Sequence, residues 1–263
     1  MTREVSSITR VGTSEPFELQ VARQQISLHE TNFKFGFNPD VDDSLETIWA
    51  QGGLYSYLTS ATVLKISSSS TADTSAGTGA RTVQISGLDA NYDEISETIT
   101  LNGQTAVNTT NEYLRVNRAK VLTAGTGVQN AGVIYAGTGT VTTGVPANVY
   151  LSIAIGDNQT LMALWTVPKG YTAYLHQLNI SMNTEVSNKF GTVTLVARPN
   201  GGVFNVQDKF ALSQDIINQS FTYPRKYEEK TDIEVRAIAS SSNADLSVSA
   251  GLDIIYIKNG NSL

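Results

Sequence analysis

Short apolar runs that alternate with polar residues, and that are separated by glycine, serine, threonine and asparagine, recur along this 263-residue chain. In residues 95–101, for example, isoleucine and leucine occupy one face of a strand, and serine and threonine occupy the other. Such runs follow one another about every 8 to 12 residues, which is the spacing of strands in antiparallel sandwiches and barrels. The pattern predicts an all-β protein.

The composition supports this prediction. Charged residues make up only 16% of the chain, and the 30 threonines outnumber the 18 lysines and arginines together. Coiled coils and helical bundles are dominated by alanine, leucine and charged residues, so they are excluded. No apolar run approaches the roughly 20 residues that span a bilayer, so we expect a soluble chain with no membrane partner. The absence of cysteine excludes disulfides and thiolate metal sites.

The net charge and the N-terminal residues restrict the partners and the cellular location expected for the protein. The net charge is −6 and basic residues are not clustered, so a nucleic-acid partner is not expected. The nearest approach to a basic patch is Arg115, Arg118 and Lys120, which we expect on a solvated face or in an intersubunit ion pair. Residues 1–5 contain no apolar segment typical of a cleaved secretion signal. We therefore expect the protein to remain in the cytoplasm of the cell that makes it.

The pattern divides the chain into three parts. Residues 1–53 are predicted to form an N-terminal arm with one short helix. Residues 54–155 are predicted to form an antiparallel β-sandwich, and residues 156–263 a second, jelly-roll-like β-sandwich.

The arm prediction rests on residues 1–39, where short apolar runs occur without a turn that would close a hairpin. The exposed apolar side chains of such an arm need a surface, either the body of the protein or a neighbouring subunit. The candidate interaction residues are Phe17, Leu19, Phe33, Phe35 and Phe37.

Residues 42–50 are predicted to form the short helix. Two aspartates begin the segment and two glycines follow it, as expected for the positive and negative ends of a helix. Leu45, Ile48 and Trp49 would share one helical face.

Catalytic and ligand-binding motifs are sparse. His29 and His176 are the only histidines, and neither accompanies a nucleophile motif. The sequence Ala-Gly-Thr-Gly occurs at 76–79, 124–127 and 136–139, but a phosphate-binding loop should open a helix, and strand or loop follows each repeat. We therefore interpret the repeats as turns, and expect neither an enzyme nor a cofactor.

One segment resembles the start of a calcium-binding loop. Asp89, Asn91 and Asp93 have the required spacing, but Glu94 stands where the loop needs glycine and Thr100 where it needs glutamate. We expect Asp89 and Asn91 to cap their own turn instead, and predict no metal site.

Several segments resemble structural proteins of tailed bacteriophages, especially marine and cyanobacterial phages, and the resemblance extends over most of the chain. The segments are Phe35-Gly-Phe-Asn-Pro39, Gly77-Thr-Gly-Ala-Arg81, Gly87-Leu-Asp-Ala-Asn91, Glu97-Thr-Ile-Thr-Leu-Asn-Gly103, Asn117-Arg118, Asn158-Gln-Thr-Leu-Met-Ala163 and Val167-Pro-Lys-Gly170.

The resemblance implies a virion component, assembled in the host cytoplasm. We expect a capsid decoration (cement) or head-spike-base protein, a homotrimer whose arm binds the major capsid protein or another virion protein. A tail-associated adaptor or fibre protein is the first alternative. A glycan-binding protein or depolymerase is the second: paired carboxylates remain possible on neighbouring strands, but only two tryptophans are available as sugar platforms.

Overall fold

The computed structural model describes residues 15–242 and 244–260. These residues form sixteen β-strands and one short helix, α1 (Phe17–Ala22). The prediction of an all-β protein is confirmed. No helix in the described part of the chain is long and apolar enough to cross a membrane.

Two antiparallel sheets are built from residues 29–47 and 164–258, which we call the terminal unit. The first sheet contains, in spatial order, β1 (His29–Val41), β16 (Leu246–Lys258), β11 (Tyr171–Thr184) and β14 (Ile216–Tyr227). The second contains β10 (Leu164–Thr166), β15 (Asp232–Ala239), β12 (Gly191–Arg198) and β13 (Asn205–Leu212), with β2 (Glu46–Thr47) also paired to β15.

Residues 62–153 build two smaller sheets, which we call the central unit. One contains, in spatial order, β6 (Val107–Tyr113), β3 (Thr62–Ser68), β8 (Ile134–Thr142) and β9 (Val145–Ile153). The other contains β5 (Glu94–Thr100), β4 (Ala80–Leu88) and β7 (Arg115–Ala124). The jelly-roll-like topology stays a prediction.

Each unit encloses its own apolar cluster. Leu175 and Leu252 belong to the cluster of the terminal unit, and Leu64 and Ile134 to that of the central unit. All four are at most 1% exposed, and burying a side chain of this size stabilises the fold by about 1.5 to 3 kcal/mol. Alternation along the strands produces both clusters, because every second side chain faces inward.

The structure corrects the prediction of an extended arm. Residues 29–41 form β1, which pairs antiparallel with β16 from His29 opposite Ile257 to Val41 opposite Leu246. β1 is therefore a strand of the terminal unit. The local pattern could not show this, because the pairing partner lies more than two hundred residues further along the chain. The part of the predicted arm in residues 1–14 lies outside the described residues.

The helix predicted at residues 42–50 is wrong. The segment is a loop with the two-residue strand β2, organised around the buried side chain of Glu46, which is 3% exposed. The Glu46 carboxylate accepts hydrogen bonds from Asn38 Nδ2 at 2.8 Å, from the Asp42 N–H at 3.0 Å and from the Gly53 N–H at 2.9 Å. So short a helix is marginal by itself, and these charge-assisted bonds favour the loop.

A glycine lets β1 pass close to two other backbone segments. A Cβ atom at Gly36 would overlap the backbone nitrogen of Ala163 and the carbonyl oxygen of Ile48. These two atoms are hydrogen-bonded to each other at 2.8 Å. Gly36 therefore allows β1 to lie directly over this contact.

We expect Gly36→Ala to lower the free energy of unfolding by about 3 kcal/mol or more, because the overlapping atoms are backbone that no rotamer change can move. Urea unfolding followed by circular dichroism measures the change. The control is Gly260→Ala, where an added Cβ meets nothing within 4 Å and the expected change is within about 0.5 kcal/mol. Equal midpoints for the two variants would contradict the close approach.

A buried cluster of ion pairs joins the two units. Arg115 of the central unit contacts Asp232 of the terminal unit through Nε at 2.8 Å and Nη2 at 3.2 Å. Arg198 Nη2 contacts the same carboxylate at 2.6 Å, and Thr166 Oγ1 donates to it at 2.6 Å. Both guanidinium groups also lie over the ring of Tyr57, at 5.0 and 4.5 Å from its centroid. Asp232 is therefore the hub of the contact between units.

The three basic residues predicted to lie on a solvated face or in an intersubunit ion pair do not share one environment. Arg115 is 8% exposed and forms its ion pair within the chain. Arg118 is half-buried and donates to the backbone carbonyl of Phe33, and only Lys120 is exposed. The prediction is wrong for Arg115, because its side chain is buried against Asp232 of the other unit.

Candidate interaction surface

Three phenylalanines lie in a row on the outer face of β1. Phe33 is 49% exposed, Phe37 is 37% exposed, and Phe35 between them is half-buried. The buried positions that alternate with them are Lys34, Gly36 and Asn38. This order is the reverse of the usual one, in which the apolar side chains of a strand face the core. β1 therefore presents its most apolar face away from the protein interior.

The neighbouring strand leaves room for these rings. Phe33 and Phe35 stack with their centroids 5.4 Å apart and their planes at 22°. Opposite them on β16 is Gly251, where a Cβ atom would approach the Phe33 ring to 3.2 Å. An aromatic ring over a strand glycine replaces the missing cross-strand contact. The glycine thus keeps the row flat against the sheet.

Polar side chains border the row. A shallow cavity of about 400 Å³ runs along this face, from the phenylalanines across β16 and β11 to β14. Ser181 and Ser249 form a hydroxyl pair at 2.7 Å beside it, and Ile216 extends the apolar area with 75% of its surface exposed. We call the set of Phe33, Phe35, Phe37 and Ile216 the aromatic surface. An apolar centre with a polar rim is typical of protein–protein interfaces.

The other two predicted interaction residues lie on α1. Phe17 is 44% exposed and Leu19 is 45% exposed. The ring of Phe17 meets that of His29, at the beginning of β1, edge-on at 5.8 Å. Phe33 follows four residues later, about 13 Å along the strand. The structure therefore places all five residues on or beside β1, with three of them together in the aromatic surface.

A larger groove, of about 700 Å³, has three aromatic rings in its wall, and two of them are buried or covered. Trp49 lines it but is only 5% exposed. Tyr57 also lines it, but Arg198 covers a face of its ring at 4.5 Å. Tyr150 is the remaining lining ring and is half-buried. Carbohydrate sites use exposed ring faces. The aromatic surface is therefore a stronger candidate for the functional site than this groove.

The segment that resembles a calcium-binding loop forms a turn that the side chain of Asp89 caps. Asp89 Oδ1 accepts hydrogen bonds from the N–H groups of Asn91 at 2.8 Å and Asp93 at 3.0 Å. The capping expected of Asp89 is confirmed, whereas Asn91 takes part through its backbone N–H and not through its side chain. Within residues 15–242 and 244–260, no group of three or more histidine, aspartate or glutamate side chains is placed to hold a metal ion.

Two of the Ala-Gly-Thr-Gly repeats contact each other. The Gly125 N–H donates to the Gly79 carbonyl at 2.8 Å, and the Gly127 N–H donates to the Thr78 carbonyl at 2.8 Å. A Cβ atom at Gly125 would overlap the carbonyl oxygen of Gly77. The repeats at 76–79 and 124–127 thus form paired turns, as the sequence indicates. The turn interpretation is wrong for the third repeat, because residues 136–139 lie inside β8 (Ile134–Thr142).

Sequence patterns did not indicate the polar cavity on the inner side of β1. Lys34, Asn117 and Arg118 line a cavity there, together with Glu94. The available signal is a lysine between two phenylalanines, which becomes informative only when the inward face of β1 is known.

No protein-family model and no curated protein sequence matches this chain. Among solved structures, the chain is similar to that of the infectious bursal disease virus Gx strain, with 10% identity over 89% of this chain and 72% of the other, at a TM-score of 0.27. For the T=1 particles derived from that virus, the identity is 11% over 89% of this chain and 71% of the other, at a TM-score of 0.22. For the VP2 subviral particle of that virus, the identity is 10% over 89% of this chain and 77% of the other, at a TM-score of 0.20. TM-scores this low do not establish a shared fold.

Proposed function

We propose that this chain is a structural protein of a bacteriophage virion, a capsid decoration or head-spike-base protein. The observation that carries the proposal is the aromatic surface, a row of phenylalanines held outward by an edge strand that pairs with β16 along most of its length. Exposed apolar patches of this kind mark contacts between proteins. The resemblance of the sequence segments to tailed-phage virion proteins supplies the biological setting.

The aromatic surface is suited to tight, rigid docking. Phe33, Phe35 and Phe37 belong to a strand that is hydrogen-bonded to β16, so little backbone entropy is lost when a partner binds. Aromatic side chains contribute large contact areas with few rotatable bonds. We propose an apolar patch of the major capsid protein as the partner. In this role the chain needs no cofactor and no catalytic group, and contacts neither nucleic acid nor membrane.

Self-association is part of the proposal. A homotrimer would have three times the chain mass of 28.3 kDa, and sedimentation velocity of the purified protein distinguishes this from a monomer. A monomer at all accessible concentrations would contradict the trimer, while leaving the capsid contact to the test below.

The capsid contact is tested with the double variant Phe33→Ser and Phe37→Ser. We expect at least a tenfold loss of binding to particles assembled without this chain, since buried aromatic anchors at interfaces each contribute about 2 kcal/mol or more. Cosedimentation with the particles measures the loss. Both rings are more than a third exposed, so the variant should unfold at nearly the wild-type urea concentration.

The matched control is Phe190→Ser. Phe190 is 49% exposed, as Phe33 is, but precedes β12 in the other sheet of the terminal unit. Its loss should leave binding unchanged. Equal binding by the double variant and the wild type, with both folded, would contradict docking through the aromatic surface.

Copy number separates the two virion roles. Quantitative peptide mass spectrometry of purified particles should find hundreds of copies of a decoration protein, whereas a tail adaptor or fibre protein would occur about a dozen times or fewer, as symmetric oligomers at one vertex do. Absence of the chain from the particles would contradict a virion role altogether.

A further inference from the structure

A cavity of about 350 Å³ lies on the inner side of β1, between the two units. Its walls include Lys34 of β1 and Arg118 of β7. Lys34 is 2% exposed, and its ammonium donates one hydrogen bond, to the backbone carbonyl of Asn117. A buried ammonium with one neutral acceptor is costly in free energy, so this arrangement requires an explanation.

Neither cation has a negative partner. Among residues 15–242 and 244–260, no carboxylate forms an ion pair with Lys34 or Arg118. Arg118 donates instead to the backbone carbonyl of Phe33. Burial, and secondarily the positive charge of Arg118, lower the pKa of Lys34 well below its ordinary value. The cavity therefore brings two cationic groups together without compensating charge.

The carboxylates on this side of the protein interact with other groups. Glu94 of β5 lines the cavity, but partial burial and the nearby Glu30 raise its pKa, which is opposite to the effect of a paired cation. Glu30 accepts hydrogen bonds from Tyr256 at 2.8 Å and from Tyr171 at 3.3 Å. These acids therefore do not neutralise Lys34 and Arg118.

One acceptor beside the two cations also lacks a partner. The Oδ1 atom of Asn117 is buried and accepts no hydrogen bond. Ser86, Ser96 and Thr31 also line the cavity. Buried polar atoms are almost always hydrogen-bonded, so this acceptor requires a donor, such as a water molecule or a hydroxyl group carried into the cavity with a ligand. A hydroxyl group on that ligand would satisfy Asn117.

We infer that the cavity binds the oxyanion group of a small molecule, a phosphate, sulfate or carboxylate, between Lys34 and Arg118. The guanidinium of Arg118 presents a planar pair of N–H donors that matches two oxygens of such a group, and the ammonium of Lys34 supplies a compact second charge. The bound anion replaces the counter-charge that the chain itself does not provide.

Thermal unfolding of the full chain in phosphate, sulfate or acetate, each compared with chloride at equal ionic strength, tests the inference. We expect the Tm to rise by about 3 to 6 °C when the preferred anion is at ten times its Kd. Lys34→Met and Arg118→Gln should each abolish the rise. Lys120→Gln, at an exposed position of the same strand, should retain it. The anion with the largest effect identifies the preferred oxyanion.

A pH series in sulfate adds a readout that a purely structural role would not change. Anion binding favours protonated Lys34, so the sulfate-dependent rise in Tm should grow as the pH falls through the lowered pKa of this residue. In Lys34→Met the pH dependence should disappear, and the Tm in chloride should exceed that of the wild type, because an uncompensated buried charge has been removed.

Equal Tm values in all four salts would overturn the inference, as would an anion-dependent rise that both Lys34→Met and Arg118→Gln retain. Either failure leaves the proposed function untouched, since the aromatic surface lies on the opposite face of β1.

Discussion

A chain that begins at Asp42 is expected to be unfolded or insoluble. Removing residues 1–41 deletes β1, which pairs with β16 along most of its length and covers one edge of a four-stranded sheet. The deletion also removes Asn38, a hydrogen-bond partner of the buried Glu46. It removes Val41 from the apolar cluster as well, and these combined losses are large against the roughly 5 to 15 kcal/mol that stabilise a domain. Far-ultraviolet circular dichroism and urea unfolding measure the result.

The control is a chain that begins at Glu15, which keeps α1 and β1. We expect it to unfold cooperatively, with a midpoint close to that of the full chain. If the chain beginning at Asp42 unfolded at the same midpoint, β1 would be a removable arm, as the sequence alone suggests, and its pairing with β16 would contribute little to stability.

The second large effect is expected at Asp232, the hub between the units. Asp232→Ala should lower the free energy of unfolding by about 3 to 5 kcal/mol, because it leaves Arg115 and Arg198 without a counter-charge in a buried site. The side chain of Asp232 is 3% exposed and that of Arg115 is 9% exposed, so water cannot replace the lost carboxylate. Urea unfolding monitored by tryptophan fluorescence measures the change.

Asp208→Ala is the matched control for this prediction. Asp208 pairs with Arg225 at 2.8 Å, but the two side chains are 26% and 34% exposed. Solvent-exposed ion pairs contribute about 1 kcal/mol or less, so the control should lose little stability. If both aspartate variants lost the same amount, burial would not be the reason for the importance of Asp232.

Local patterns predicted the strands of the central unit well. The alternating residues 95–101 correspond closely to β5 (Glu94–Thr100). Alternation succeeds there because neighbouring strands are close in sequence and each has one buried face. The turn at Asp89 was also predictable, since an aspartate side chain can cap its own backbone without help from distant residues.

Patterns failed where a distant segment decides the local conformation. Residues 42–50 have helical signals, but three hydrogen bonds to the carboxylate of the buried Glu46 stabilise the loop more than a short helix would be stabilised. β1 has an apolar alternation, yet its lysine, glycine and asparagine positions face inward, against segments distant in the chain, and its phenylalanines lie outside. Which face of a strand is inward depends on its partners and not on its own pattern.

The sequence by itself determined the all-β class, the turn chemistry and the five apolar candidates for interaction, because strand propensity and turn formation depend on neighbouring residues. The tertiary structure alone decided that three of these candidates form one outward surface, and that Lys34 and Arg118 meet in an uncompensated cavity behind it. Both results come from contacts between residues far apart in the chain, whose pairing is fixed by the packing of complete sheets.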